Sequence, residues 1–142
     1  MKEEYVTYKC AVKLKELGFD WKCDHFWHKE FTDSDKMVLR QASADDFNHD
    51  DWDVPHYSAP ALHIAQKWIR EKGIHISANP YMGYDVDADG ELYNEYPSWG
   101  FELMDVASAD FMDDAGGNHT SYELALSAGI DKALGLLTLN TK

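Results

Sequence analysis

Three aspartates spaced two residues apart form the sharpest motif that could hold a ligand. Asp85, Asp87 and Asp89 are followed directly by Gly90. Carboxylates at positions 1, 3 and 5 with glycine at position 6 match the first half of a calcium-binding loop. Position 12 of such a loop is a bidentate glutamate, whereas this chain has Tyr96 there. The pattern therefore favours a polar hairpin turn, with positive φ angles at Asp89 and Gly90, and calcium binding stays the alternative hypothesis.

A second set of residues could bind zinc. Cys23, His25 and His28 lie within six residues of one another. A tetrahedral site needs a fourth ligand, for which the candidates are His49, His56 and His63. Alternation along a strand would place Cys23 and His25 on the opposite side from His28. The spacing therefore favours ordinary strand and loop residues over a zinc site.

The motifs of several enzyme classes are missing from the sequence. There is no Gly-x-Ser-x-Gly, no phosphate-binding glycine loop and no dinucleotide fingerprint. With 26 Asp and Glu residues, no single acid–base pair stands out. We therefore favour a protein that is not an enzyme, and a small enzyme stays a third hypothesis. No cofactor is expected, with calcium as the alternative.

The charge is the distinctive bulk property. The formal net charge is −13, and residues 73–131 contain twelve Asp and Glu but no Lys or Arg. Such a segment repels nucleic acid and anionic membranes and attracts a basic protein or a cation. The predicted partner-binding residues are the acids Asp85, Asp87, Asp89, Glu91, Glu95, Asp105, Asp110, Asp113 and Asp114.

Hydrophobic periodicity predicts the elements that would position these residues. The predicted order is helix, hairpin, helix, hairpin, helix: helix 4–17, hairpin 26–41, helix 58–73, strands 74–82 and 99–106, and helix 120–137. Residues 42–57 and 107–119 are acidic and lack periodicity, which indicates loops. Strands that pair locally predict an α+β fold, in which helices pack on one face of a short antiparallel sheet.

The predicted helix ends rest on individual residues. Ser58 is expected to cap the central helix, and Thr120 is expected to cap the last one in a capping box with Glu123. Gly18 and Gly73 follow the first and second apolar stripes, where a left-handed residue ends a helix. Pro80 is expected to mark the end of the strand that follows Gly73.

Length and composition suggest one domain over residues 1–142. No apolar run approaches the roughly 20 residues that span a bilayer, and the first ten residues lack the apolar core of a signal peptide. Two cysteines, Cys10 and Cys23, are too few for a disulfide framework. We therefore expect a cytoplasmic protein without membrane contact.

The central and last helical segments resemble the paired motifs of a known group of proteins. APALHIAQKWIREKGIHI (59–76) and SYELALSAGIDKALGLL (121–137) are similar to motifs of small proteins encoded by gut anaerobes and their phages or prophages. The group's leading proline is replaced here by Ser58. The motifs are structural and the group has no assigned activity, so the resemblance implies a phage or mobile-element context and assigns no site residue.

Taken together, the sequence predicts a small acidic accessory protein that acts by non-enzymatic binding of a basic protein through an acidic face. Two alternatives stay open. One is an inhibitor that imitates nucleic acid and occupies a host nucleic-acid-binding protein. The other is a cation-binding domain that uses Asp85, Asp87 and Asp89.

Overall fold

The computed structural model describes residues 4–29, 36–41 and 56–140. Its helices are α1 (Tyr8–Glu16), α2 (Leu62–Glu71) and α3 (Tyr122–Asn140). Its strands are β1 (His25–Lys29), β2 (Met37–Gln41), β3 (Tyr57–Ser58), β4 (Ile74–Val86), β5 (Leu92–Asp105) and β6 (Phe111–His119). In these residues the strands form two antiparallel sheets, of order β2-β1-β3 and β4-β5-β6. The predicted α+β class is confirmed, but each predicted hairpin has a third strand that the sequence did not indicate.

The first sheet is built on the predicted hairpin. β1 and β2 pair in a continuous register from His25 opposite Gln41 to Lys29 opposite Met37. The short strand β3 adds on the other side of β1, with Ser58 opposite Phe26. Ser58 is therefore a strand residue, and its predicted role as a helix cap is wrong. The rest of the predicted loop, 42–55, lies outside the described residues.

Helix α1 packs its apolar stripe and its first aromatic residue against this sheet. Cys10 and Leu14 are buried, and the Tyr8 ring lies edge-on to Trp27 and Tyr57 at 6.4 and 5.6 Å. The helix begins at residue 8, capped by Thr7, rather than at residue 4 as predicted. Residues 4–6 are held outside the helix, because they form backbone hydrogen bonds with residues 60–62.

Helix α2 spans Leu62–Glu71, so it starts four residues later and ends two residues earlier than the predicted range of 58–73. The carbonyl of Ala61 accepts from the amide of Ala65, so the helical hydrogen bonds begin there rather than at Ser58. Trp68 on its buried stripe lies edge-on to Phe19 at 5.5 Å. Gly73 has φ of 107°, as the predicted stop signal requires.

The second sheet is a meander of three strands. β4 continues through Pro80 to Val86, four residues past the predicted end at residue 82, because it is an edge strand and the missing N–H of proline leaves no partner unsatisfied. β6 lies where the sequence predicted a loop over 107–119. Its acidic, glycine-bearing sequence has low strand propensity, and pairing with β5 overrides that preference.

Helix α3 covers one face of the second sheet at close range. Gly129 lies against β4 and β5, so a Cβ there would be 2.7 Å from Cγ2 of Ile76 and 3.2 Å from Cβ of Phe101. The cap is Ser121, whose Oγ accepts from the amide of Leu124 at 3.1 Å. The predicted capping box at Thr120 is therefore wrong by one residue.

The chain divides into two compact units. One unit is Met1–Trp68 with Leu134–Lys142, and the other is Ile69–Ala133. The division falls inside α2 and α3, and the prediction of one domain stays a prediction. Among the described residues no helix is both long enough and apolar enough to cross a bilayer.

Two glycines of α3 provide a test of the close packing. We expect Gly129→Ala to lower the free energy of unfolding by about 1 to 2 kcal/mol, because overpacking against Ile76 outweighs the gain in helix propensity. The matched control is Gly135→Ala, where a Cβ meets nothing within 4 Å. There we expect a gain of about 0.5 to 1 kcal/mol. Urea unfolding of both variants measures the difference, and equal effects would contradict the packing.

Candidate partner-binding surface

Strands β4 and β5 extend beyond the part of the sheet that β6 covers. β6 pairs with β5 between Met104 and Trp99, whereas β4 and β5 continue to pair as far as Val86 and Leu92. We call the two-stranded segment 81–97 the arm. It contains five carboxylates and no Lys, Arg or His. The arm carries the first five of the predicted partner-binding acids, Asp85, Asp87, Asp89, Glu91 and Glu95.

Asp87 closes the turn at the tip of the arm. Its Oδ1 accepts from the amides of Asp89 and Glu91, each at 2.9 Å, and its carbonyl accepts from the amide of Gly90 at 3.0 Å. Gly90 has φ of 84°, whereas Asp89 does not have the positive φ that the sequence predicted. One left-handed residue is enough here, because the Asp87 side chain holds the two amides that follow the bend.

The geometry of the tip favours the hairpin turn over a calcium loop. The carboxylate of Asp85 accepts from Nδ2 of Asn94 at 2.8 Å, across the arm. Asp85 and Asp87 are thus both engaged by N–H donors, as in a structural turn. In the described part of the chain no three His, Cys, Asp or Glu side chains are grouped so as to hold a metal ion. Calcium binding by Asp85, Asp87 and Asp89 stays a prediction.

A bulge in β5 decides which side chains share a face of the arm. The register passes from Gly83 opposite Tyr96 to Asp85 opposite Tyr93, so β5 has one more residue than β4 between these pairs. Asn94 in this interval has φ of 51°, the left-handed conformation typical of a bulge residue. Because paired residues of antiparallel strands lie on the same face, Tyr93 and Tyr96 share a face with Asp85.

The opposite face of the arm is apolar and exposed. It carries Met82, Tyr84 and Val86 from β4 and Leu92 from β5, since Val86 lies opposite Leu92. The exposed fractions of Met82, Val86 and Leu92 are 53, 58 and 62%. We call these four residues the apolar face of the arm. Contiguous apolar side chains on a surface are typical of an interaction site.

The apolar face continues the face that α3 covers nearer the base of the sheet. Ile76 and Phe101, on the same face by register, are buried beneath α3. Trp99 follows along β5, and its ring lies edge-on to Tyr122, the first residue of α3, at 5.7 Å. Beyond Trp99, where α3 begins, the helix no longer covers this face, and its side chains are exposed at Pro80 and Met82.

Two of the remaining predicted acids build the connection between β5 and β6. Asp105 Oδ1 accepts from the amides of Ala107 and Ser108 at 2.9 and 3.0 Å, and the amide of Asp105 donates to the carbonyl of Asp110 at 2.8 Å. The hydrogen bonds that the Asp105 carboxylate accepts, above all the one from the Ser108 amide, lower the pKa of Asp105 below its usual value. This connection lies at the opposite end of the sheet from the arm.

The last two predicted acids lie on different faces of β6. Asp113 is opposite Leu103 and forms an ion pair of 3.2 Å with Lys132 of α3. The hydrogen bond from the amide of Asp114 lowers the pKa of Asp113, and the hydrogen bond from Lys132 contributes to a smaller extent. Asp114 lies opposite Glu102, on the other face. The nine acids therefore do not form one surface, and only the arm groups five of them.

Negative charge also marks the face of the sheet away from α3. The hydroxyl of Tyr81 donates to Oε1 of Glu102 at 3.4 Å. Loss of solvent around the phenol is the main cause that raises the pKa of Tyr81, and the negative charges of Glu102 and Asp114 raise it further. Within the arm this face carries Asp85, Tyr93 and Tyr96 in place of the aliphatic side chains of the apolar face.

The proposed zinc ligands have other partners. His25 Nδ1 lies 2.9 Å from Oδ1 of Asp24, and its ring stacks on Tyr5 with 4.0 Å between centroids. His28 Nε2 accepts from Nε of Arg40 at 2.9 Å. Cys23 is buried. Burial is the main cause that raises the pKa of its thiol to about 12, and the negative charge of Asp24 contributes as well. His49 lies outside the described residues.

Cys23 also borders an open cavity of about 390 Å³ in the first unit. The lining residues are Tyr5, Lys22, Cys23, Asp24, Pro60, Ala61, His63 and Ile64. A cysteine next to a histidine and an aspartate can form a nucleophile, but only as a thiolate. A thiol with a pKa of about 12 is protonated at neutral pH. Burial of Cys23 therefore disfavours the thiolate that a nucleophilic site in this cavity would need.

Sequence reasoning found the acids of the arm and missed its apolar face. The signal was present, because Met82, Tyr84 and Val86 continue the alternation of β4 past Pro80. Treating Pro80 as a strand end hid that signal. Leu92 could not be assigned to the same face from sequence, because its position depends on the bulge at Asn94.

The role of Asp87 in the turn can be tested by substitution. We expect Asp87→Ala to speed hydrogen exchange at the Asp89 and Glu91 amides about fivefold, because both lose their acceptor. Asp87→Asn is the matched control, since its side-chain oxygen can accept the same bonds. Amide exchange followed by NMR measures both variants. Equal exchange in the two variants would show that the side chain does not hold the turn.

The ionisation of Cys23 can be tested in a Cys10→Ser background, where it is the remaining cysteine. Because burial raises its pKa from 9.0 to about 12, the thiolate fraction at pH 8 is about a thousandfold lower than in the unfolded chain. We expect the rate of iodoacetamide alkylation in the native protein to rise with pH through pH 9 to 10, whereas the unfolded chain levels off. A native plateau below pH 9 would contradict this assignment.

Comparison with protein-family models, with curated proteins and with solved structures finds no match for the chain. The proposed function therefore rests on the geometry and charge of the arm. It receives no support from a relative.

Proposed function

We propose that the protein is a non-enzymatic binding protein whose arm contacts a basic partner protein. One observation carries the proposal: five carboxylates, no Lys, Arg or His, and an exposed apolar face coincide on the two-stranded segment 81–97. The carboxylates would steer a cationic partner towards the arm. The apolar face would then supply buried area in the complex.

Charge by itself would not single out the arm. Acidic proteins are common, and negative charge also favours solubility. The apolar face makes the difference, because Met82, Val86 and Leu92 are each more than half exposed and lie together on one face of the arm. Exposed aliphatic side chains on a charged hairpin are a liability for self-association unless a partner uses them.

The cellular context is part of the same proposal. The resemblance of segments 59–76 and 121–137 to proteins of gut anaerobes and their phages supports an accessory role in a phage or mobile element. We infer that the protein acts in the bacterial cytoplasm and that its partner is a basic bacterial protein. Direct binding of nucleic acid by the arm would be opposed by its charge.

The two alternative functions stay hypotheses. Imitation of nucleic acid would benefit from an ordered row of charges, whereas the predicted acids lie at both ends of the sheet and on both of its faces. Calcium binding would have to displace the N–H donors that now engage Asp85 and Asp87. Neither alternative has an observation that favours it over binding of a basic protein.

Two charge variants test the proposal. The arm variant combines Asp85→Asn, Asp89→Asn, Glu91→Gln and Glu95→Gln, and it keeps Asp87 because Asp87 holds the turn. The matched base variant combines Asp105→Asn, Asp110→Asn, Asp113→Asn and Asp114→Asn. Each variant removes four carboxylates, so both reduce the net charge from −13 to −9.

Immobilised wild-type protein and both variants are exposed to bacterial lysate at low and high salt, and the retained proteins are identified by mass spectrometry. We expect a basic protein to be retained by the wild type and the base variant at low salt. The arm variant should bind it about tenfold more weakly in a direct titration. Equal losses in the two variants would show that only bulk charge matters, and retention of no basic protein would contradict the proposal.

A further inference from the structure

We infer that the apolar face of the arm is the docking site for a basic amphipathic helix of the partner, which lies over β4 and β5 as a continuation of the layer that α3 forms. This inference rests on the proposed function and specifies the kind of partner. A second copy of the chain and an added β-strand are the occupants that the experiment must exclude.

Continuity of the covered face supports a helix as the occupant. Ile76 and Phe101 are buried against α3 around Gly129. The same face of the same two strands then carries Met82, Val86 and Leu92, which are exposed beyond the N-terminal end of α3. A surface that accepts a helix at its base has the pleat and twist to accept one further along.

The size of the apolar face also fits a helix. The stretch from Met82 to Val86 covers roughly 13 Å of strand at about 3.3 Å per residue, which corresponds to about nine residues of helix. Two strands about 4.8 Å apart, with their side chains, present a strip about 10 Å wide, the diameter of one helix. The face therefore matches two to three turns of a helix with apolar residues at i, i+3 or i+4, and i+7.

The charge of the arm selects among the occupants. A pair of arms packed on their apolar faces would bring together two segments that each carry five carboxylates and no Lys, Arg or His, with Asp85 of each arm on the outer face. A helix with Lys and Arg beside its apolar stripe removes that repulsion. Its cations would meet the carboxylates at the rim, and Tyr84, which is 40% exposed, offers a ring to one of them.

Three synthetic peptides of equal positive charge serve as probes. The first, of about 15 residues, combines Lys with Leu at helical spacing on one side. The second has the same composition with the Leu residues scattered around the helix. The third alternates Lys and Val, as a β-strand does. Fluorescence anisotropy at low and moderate salt measures binding of each peptide to the full chain.

Two sets of substitutions separate the faces of the arm. The apolar-face variant combines Met82→Ser, Val86→Thr and Leu92→Thr. The matched control combines Tyr93→Ser and Tyr96→Ser, which removes exposed aromatic area from the opposite face. All five side chains are exposed, so we expect both variants to fold, and urea unfolding verifies this for each protein used.

The expected result is that the amphipathic peptide binds the wild type at least about tenfold more tightly than the scattered peptide. The apolar-face variant should lose this preference, and the Tyr93/Tyr96 variant should keep it within about twofold. Equal binding of the two helical peptides, with a loss in the arm charge variant, would overturn this inference and leave the proposed function standing. No binding of any basic peptide at low salt would overturn both.

Two further outcomes would name a different occupant. If the alternating peptide binds most tightly and the apolar-face variant does not weaken it, the partner adds a strand to the edge of the sheet and the helix inference is wrong. If sedimentation shows a dimer of the wild type that the apolar-face variant dissolves, a second copy covers the face and the inference is wrong.

Discussion

The close approach of α3 to β4 and β5 is the constraint on which the second unit depends. Gly129 allows it, because the space that a Cβ would need is already filled by Ile76 and Phe101. The contact decides which face of the sheet is buried and therefore which face holds the apolar residues of both strands. Buried Ile74, Ile76, Phe101 and Leu103 all follow from this arrangement.

The same constraint explains why the arm has an exposed apolar face. β4 and β5 are 13 and 14 residues long, and they outrun both α3 and β6. The alternation of apolar side chains along β4 continues past the region that α3 covers. The face that is buried at Ile76 is therefore exposed at Met82 and Val86. The bulge at Asn94 then brings Leu92 onto that face as well. The strand alternation therefore leaves an exposed apolar face on the arm, which is the surface that the proposed function uses.

In the proposed binding role, electrostatics would give this surface its selectivity. Exposed apolar side chains bind many partners, whereas the carboxylates at the tip and along the arm oppose anionic ones, including a second arm. Elsewhere in the second unit, acids such as Asp105 and Asp113 are used to hold a turn and to pair with Lys132. Exposed Val106 and Phe111 also lie beside Asp105 and Asp110, but the arm groups four exposed apolar side chains on one face next to its carboxylates.

The sequence by itself determined the fold class, the helix stops at Gly18 and Gly73, the hairpin 26–41 and the acids of the arm, because each depends on neighbours along the chain. Tertiary structure decided the rest. Ser58 became a strand residue through pairing with Phe26, and β6 formed from a sequence of low strand propensity because β5 offered an edge. The apolar face likewise depends on strand register and on where α3 ends, which are set by contacts between residues far apart in sequence.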